Sequence, residues 1–125
     1  MTKKDEKYLI DESYLNIEIG LALKNNDYDR IKTILLPESY PNLSIIQKEE
    51  KIFELALSYL YFNLTSIEFF KYFIFEHKVS QDIYNKMEYA YKSKVVEDMF
   101  ESRNLNENLN LDLNTNDKIG KKLKV

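Results

Sequence analysis

Apolar positions recur along this chain with a helical period, and one stretch is denser than the rest. Residues 52–76 read IFELALSYLYFNLTSIEFFKYFIFE, and eight of the seventeen aromatic residues lie between positions 59 and 75. Any fold must bury this stretch first, because it carries the most apolar surface. Upstream, Leu15, Ile19, Ala22 and Leu23 share one face of a first helix, predicted from Asp11 or Ser13 to about Lys24. Gly20 in its interior costs about 1 kcal/mol against alanine, which predicts close approach of a neighbouring helix. Asp27 caps a short second helix carrying Tyr28, Ile31, Ile34 and Leu35. Pro37 ends it, and PESYPNL is the one long loop.

Ser44 and Gln47 have capping-box spacing and open a third helix to about Phe62. Its predicted inner stripe is Ile45, Ile52, Phe53, Ala56, Leu57, Leu60 and Tyr61, with 47–51 as the solvated side and Asn63 as the stop. Thr65 and Glu68 repeat the capping-box spacing before a fourth helix to about His77. Ile67, Phe69, Phe70, Tyr72, Phe73, Ile74 and Phe75 wrap this helix nearly all round, the pattern of a helix buried on all sides or shared with a partner. Ser80 caps a fifth and longest helix, in which Ile83, Met87, Tyr91, Val95 and Met99 recur every four residues. It is expected to cover the fourth helix. Past Arg103 the run NLNENLNLDLNTN has poor helix propensity, so the helix is expected to fray and the chain to be disordered from about Asn114. The expected fold is all-α, about five helices in antiparallel hairpins with a long C-terminal helix and a disordered tail. Residues 1–10 form a frayed N-terminus, 11–109 a single helical domain and 110–125 a flexible Asn/Lys-rich tail.

Composition agrees with this reading. Two glycines and two prolines leave little room for the turns of a β-sandwich. The 44% hydrophobic and 31% charged content is that of a soluble globular chain. The net charge of -3 argues against nucleic-acid binding. Residues 1–100 hold 13 basic and 17 acidic side chains, whereas the last eight residues hold four lysines and no acid. There is no cysteine, which excludes disulfides, thiolate metal sites and thiol nucleophiles. The start has no apolar run, so no secretory signal peptide is expected there. Glu54, Asn63, Glu68 and Lys71 interrupt the aromatic stretch and argue against a membrane span.

Candidate chemistry is sparse. No glycine-rich loop is present to cradle a phosphate. His77 is the only histidine and suits a helix C-terminus electrostatically. Glu49–Glu50 and Glu97–Asp98 are adjacent on helices and diverge by about 100°, so neither is an acid–base pair. No catalytic residue, cofactor or metal site is expected, and the chain is not expected to be an enzyme. Ten tyrosines and no tryptophan fit amphipathic core-edge positions or a protein interface. The candidate partner-binding residues are Tyr59, Phe69, Tyr72, Phe75, Tyr84 and Tyr91.

Residues 27–36 (DYDRIKTILL) align without gaps on 66–75 (SIEFFKYFIF), matching Asp29 with Glu68, Ile31 with Phe70, Lys32 with Lys71, Ile34 with Phe73 and Leu35 with Ile74. The 39-residue offset is in the range of helical repeats. Residues 22–36 resemble the inner-to-outer helix passage of an ankyrin repeat, and 55–74 resemble it more weakly, without the T-P-L-H turn or a closing glycine. The lysine-rich tail, with Leu123 third from the end, is similar to the C-terminal export signal of type IV secretion substrates. That resemblance implies a small bacterial effector or effector-regulator, located in the bacterial cytoplasm and exported into a host cell. The functional expectation is a non-catalytic protein that binds another protein, a regulator or inhibitor masking a surface of a bacterial effector or toxin enzyme. The alternatives are a structural homodimer or higher oligomer with no separate target, and an ankyrin-like adaptor for a host protein. No nucleic-acid or membrane partner is expected.

Overall fold

The computed structural model describes the backbone of residues 3–119 and the side chains of residues 10–108. Among these the chain is all-α, with no strand. The elements are α1 (Lys3–Lys24), α2 (Tyr28–Ile34), α3 (Ile45–Tyr61), α4 (Ile67–Lys71) running directly into a π-helical turn (Tyr72–Glu76), α5 (Gln81–Asn85), a 3-10 turn (Tyr89–Tyr91) and α6 (Lys94–Ile119). They fall into two compact units, Met1–Lys92 and Ser93–Val125.

The first unit is two helical hairpins side by side. Within each hairpin the helices run antiparallel. Glu18 of α1 lies 3.8 Å from Arg30 of α2, while Asp11 accepts a 2.7 Å hydrogen bond from Asn42 further along the chain. In the second hairpin Phe53 meets Phe73, and Glu49 meets His77 one turn further out. Between hairpins α1 and α3 run parallel. Lys51 pairs with Glu12 at 2.7 Å. The Tyr59 hydroxyl lies 2.7 Å from where a Cβ on Gly20 would sit, the close approach that its position predicted, and a side chain there would displace the end of the Tyr59 ring. Both contacts span 39 residues, the offset of the internal alignment. The five aligned pairs also share their burial: Ile31 and Phe70, Ile34 and Phe73, Leu35 and Ile74 are inside, while Asp29, Glu68, Lys32 and Lys71 are exposed.

The helix ends are set by local chemistry. Ser44 and Gln47 form a reciprocal capping box, with bonds of 3.1 and 2.8 Å. Asp27 and Ser80 cap α2 and α5. α1 and α3 end on left-handed Asn26 and Asn63, each followed by a bond five residues back, from Asp27 N–H to Ala22 C=O and from Leu64 N–H to Tyr59 C=O. The second capping box does not form. Ser66 stands at the N-cap, no side chain caps α4, and Glu68 pairs instead with Lys71 at 3.0 Å. The Ser66 hydroxyl is engaged by Tyr28.

Other details depart from the pattern. α1 begins at Lys3, eight residues before the expected cap. Ile45 and Tyr61 face outward rather than lying on the inner stripe of α3. Lys48, expected on the solvated side, is fully buried. Its ammonium donates to the carbonyls of Leu36 and Ser39 at 2.8 and 2.7 Å. Both carbonyls belong to the loop that follows α2. The loop is held further by Tyr40, which sits in the left-handed region and donates its hydroxyl to Glu18.

The expected single fifth helix is three elements, because Lys92 folds back. It donates to the carbonyls of Tyr84 and Asn85, the open end of α5, at 2.7 and 3.2 Å, and lies 4.4 Å over the Tyr84 ring. That geometry requires the turn through 86–93, which no glycine or proline marks.

The second unit is α6. Ser93 begins it, accepting from Glu97 N–H at 2.9 Å. Among its described residues Val96 and Phe100, four apart, are the buried side chains, and the Arg103 guanidinium lies 4.9 Å over the Phe100 ring. Val95, expected in the apolar stripe, is exposed. The helix continues through the asparagine-rich stretch to Ile119, beyond the expected start of the tail at Asn114. Residues 120–125 lie outside the described residues.

Candidate protein-interaction site

The aromatic stretch solves its burial problem internally. Phe69, Tyr72 and Tyr84 are only 1%, 6% and 2% exposed, so they are not available as a partner surface, contrary to the expectation. Phe69 belongs to α4 and Tyr84 to α5, while Tyr72 lies in the π-helical turn, where three successive residues, Tyr72, Phe73 and Ile74, are all buried. Phe53 meets Phe70, Phe73 and Tyr84 with centroids 6.0, 5.6 and 5.8 Å away. Tyr72 stacks on Tyr28 at 5.0 Å. Burial, reinforced by the Glu76 and Asp29 carboxylates, raises the Tyr72 pKa above the ordinary tyrosine value. Of the other expected residues, Tyr59 and Phe75 are half-buried and Tyr91 lines a groove.

That groove follows the outer edge of α3. Glu50, Glu54, Ser58 and Tyr61 succeed one another along it, one turn apart, and the opposite wall comes from residues 83–91. Its first part has a volume of about 540 Å³ and is lined by Glu50, Glu54, Glu88, Lys86 and Met87 among others. The second part, about 450 Å³, is lined by Leu57, Tyr61, Phe62 and Ala90, with Tyr91 common to both. Three carboxylates face one ammonium at the first end, and aromatic rings form the second. The left-handed stop at Asn63 leaves Tyr61 and Phe62 at the mouth, edge to face at 5.1 Å and 80% and 66% exposed. Tyr89, on the facing 3-10 turn, is almost fully exposed.

A second surface lies on α1. Its inner face buries Leu15, Ile19, Ala22 and Leu23, as the pattern predicts. The opposite crest is also apolar: Ile10, Tyr14, Ile17 and Leu21 are 55%, 63%, 62% and 50% exposed. At ~200 Å² for a large side chain, this leaves roughly 450 Å² of apolar surface in water, at the upper end of what a monomer carries. The 4-3-4 spacing is legible in the sequence as a second stripe. The first stripe already accounts for the helix, which is how the second is overlooked.

Elsewhere the reactive side chains have structural partners. His77 stacks on Phe73 at 5.0 Å and its Nε2 lies 2.6 Å from Glu49. Lys48 is enclosed with its two carbonyls. Among the described residues no group of three metal-ligating side chains comes together, and no helix is long and apolar enough to cross a membrane. The arrangement offers shape, rings and charge for binding. No protein-family model, curated protein or solved structure matches this chain.

Proposed function

We propose that this chain is a non-catalytic binding protein that acts by covering a surface of another protein, and that the groove along α3 takes a basic, apolar-tipped segment of that partner. The observation that carries the reading is the exposed Tyr61–Phe62 pair at the aromatic end of a groove whose other end holds Glu50, Glu54 and Glu88. Exposed aromatic rings in water are unfavourable unless something covers them, and such rings supply much of the energy of protein interfaces. The carboxylates add orientation and speed of encounter rather than bulk affinity. In its finer form the partner is a bacterial effector or toxin enzyme and the outcome of binding is its inhibition, in keeping with the acidity of the chain and its export-like tail.

The test is capture of partners by the full-length chain from its native source, alongside the Tyr61→Ala/Phe62→Ala double variant. The partner is expected to bind the unaltered chain, to bind the variant at least about tenfold more weakly, and to release with rising salt. An activity assay on the captured partner then reads inhibition. Equal capture by both proteins, or no stable partner at physiological salt, defeats the reading.

A further inference from the structure

The crest of α1 has the geometry of one half of a two-helix interface. Ile10, Tyr14, Ile17 and Leu21 follow the 4-3-4 spacing of the core positions of a coiled coil. Each of those positions in a coiled coil is a knob that enters a hole bounded by four residues of the facing helix, at i, i+3, i+4 and i+7. Such a hole exists here: a shallow hollow of about 340 Å³ is lined by Ile10, Ser13, Tyr14 and Ile17. The crest is exposed among the described residues. On one flank Asp11 and Glu18 are engaged by Asn42, Tyr40 and Arg30, and on the other Glu12 is held by Lys51. These flanking contacts fix the helix with the four apolar side chains pointing outward.

We propose that α1 is the self-association surface of this protein, pairing antiparallel with α1 of a second copy about a two-fold axis between Tyr14 and Ile17. The axis follows from the symmetry of the stripe. It sets Ile17 of the second copy over the Ile10–Ser13–Tyr14–Ile17 hollow and, reciprocally, Ile17 of the first copy into the matching hollow. Ile10 then faces Leu21 of the other copy. A second copy fits on area as well. Two crests contribute roughly 900 Å², and with a polar rim the interface reaches about 1,200 Å², the lower limit for specific association. The dimer is therefore expected to dissociate in the micromolar range. This surface is separate from the groove along α3, so either proposal can fail without the other.

Sedimentation equilibrium of the full chain between about 5 and 500 μM is expected to show a monomer–dimer equilibrium. Ile17→Lys and, separately, Leu21→Lys are expected to raise the dissociation constant at least about tenfold, with helical circular dichroism unchanged because both side chains are half-exposed. The absence of native cysteine permits a sharper test. A mixture of Ile10→Cys and Leu21→Cys proteins is expected to form a disulfide heterodimer on mild oxidation, while Ile10→Cys alone remains largely uncross-linked. A chain monomeric throughout that range overturns the proposal, as does a dimer indifferent to both lysine variants. Preferential cross-linking of Ile10→Cys to itself overturns the antiparallel arrangement.

Discussion

Truncation of Phe53 to alanine examines whether the aromatic middle of the chain is a single packed body. The side chain is fully buried and meets rings from α4, the π-helical turn and α5. A buried phenylalanine removes ~150–250 Å² from water, and at about 25 cal/mol per Å² this corresponds to roughly 4–6 kcal/mol as an upper bound. Alanine retains part of that, and the cavity left behind adds to the loss, so the measured range for such changes is about 3–5 kcal/mol. We expect about 4 kcal/mol for Phe53→Ala. Domains of this size have a total stability of about 5–15 kcal/mol, so the variant should lose a large fraction of it. Phe53→Leu, which keeps much of the volume, should cost about 1–2 kcal/mol. Tyr61→Ala, at an exposed position of the same helix, should change stability by less than about 0.5 kcal/mol. Urea unfolding followed by circular dichroism at constant m-value measures all three. A loss below about 1.5 kcal/mol for Phe53→Ala would mean that the rings do not share a core, and would refute the packing.

Three further outcomes are expected. Burial lowers the Lys48 pKa below the ordinary 10.5, with the Glu38 carboxylate opposing the shift. The unfolded chain therefore binds more protons between the native value and 10.5, and stability should rise with pH across that interval; Lys48→Met should abolish the rise, and a stability–pH curve parallel to that of the unaltered chain would count against the buried ammonium. Tyr40 behaves oppositely: burial, then its hydrogen bond to Glu18, push its pKa well above 10. Here the native state holds the proton longer, so stability should fall as pH rises through and beyond 10, and Tyr40→Phe should lessen that fall in urea midpoints taken at successive alkaline pH values. Ser44→Ala removes one side of the capping box on α3 and should cost about 1 kcal/mol by the same urea assay, with no loss expected only if the box does not form in solution.

What the sequence made legible was whatever depends on neighbours along the chain. The helical class, the caps at Asp27, Ser44 and Ser80, the stop at Asn63 and the tight approach at Gly20 all follow from local chemistry. The misplaced details depend on partners distant in sequence. Lys48 looks solvated among Gln47, Glu49 and Glu50, and only the carbonyls of a separate loop draw it inside. The every-fourth-residue run from Ile83 to Met99 looks continuous, yet Lys92 ends α5 by bonding back to it. Phe69, Tyr72 and Tyr84 look like interface residues because the stretch carries so much apolar surface, and rings distant in sequence, Tyr28 and Phe53, are what they pack against. Of the candidate groove, Tyr91 was identified from the sequence, whereas Tyr61 and Phe62 were not, because the turn at Asn63 sets their direction. The outer crest of α1 was readable from spacing alone.

The π-helical turn amounts to one extra residue in the chain after Lys71. Deleting a residue there, with half-buried Phe75 the natural choice, would restore ordinary α geometry and turn every later position by about 100°. His77 would swing away from Glu49, and the capping serine and α5 beyond it would arrive in the wrong phase to meet α3. Single-residue length changes between 72 and 76 should therefore be poorly tolerated.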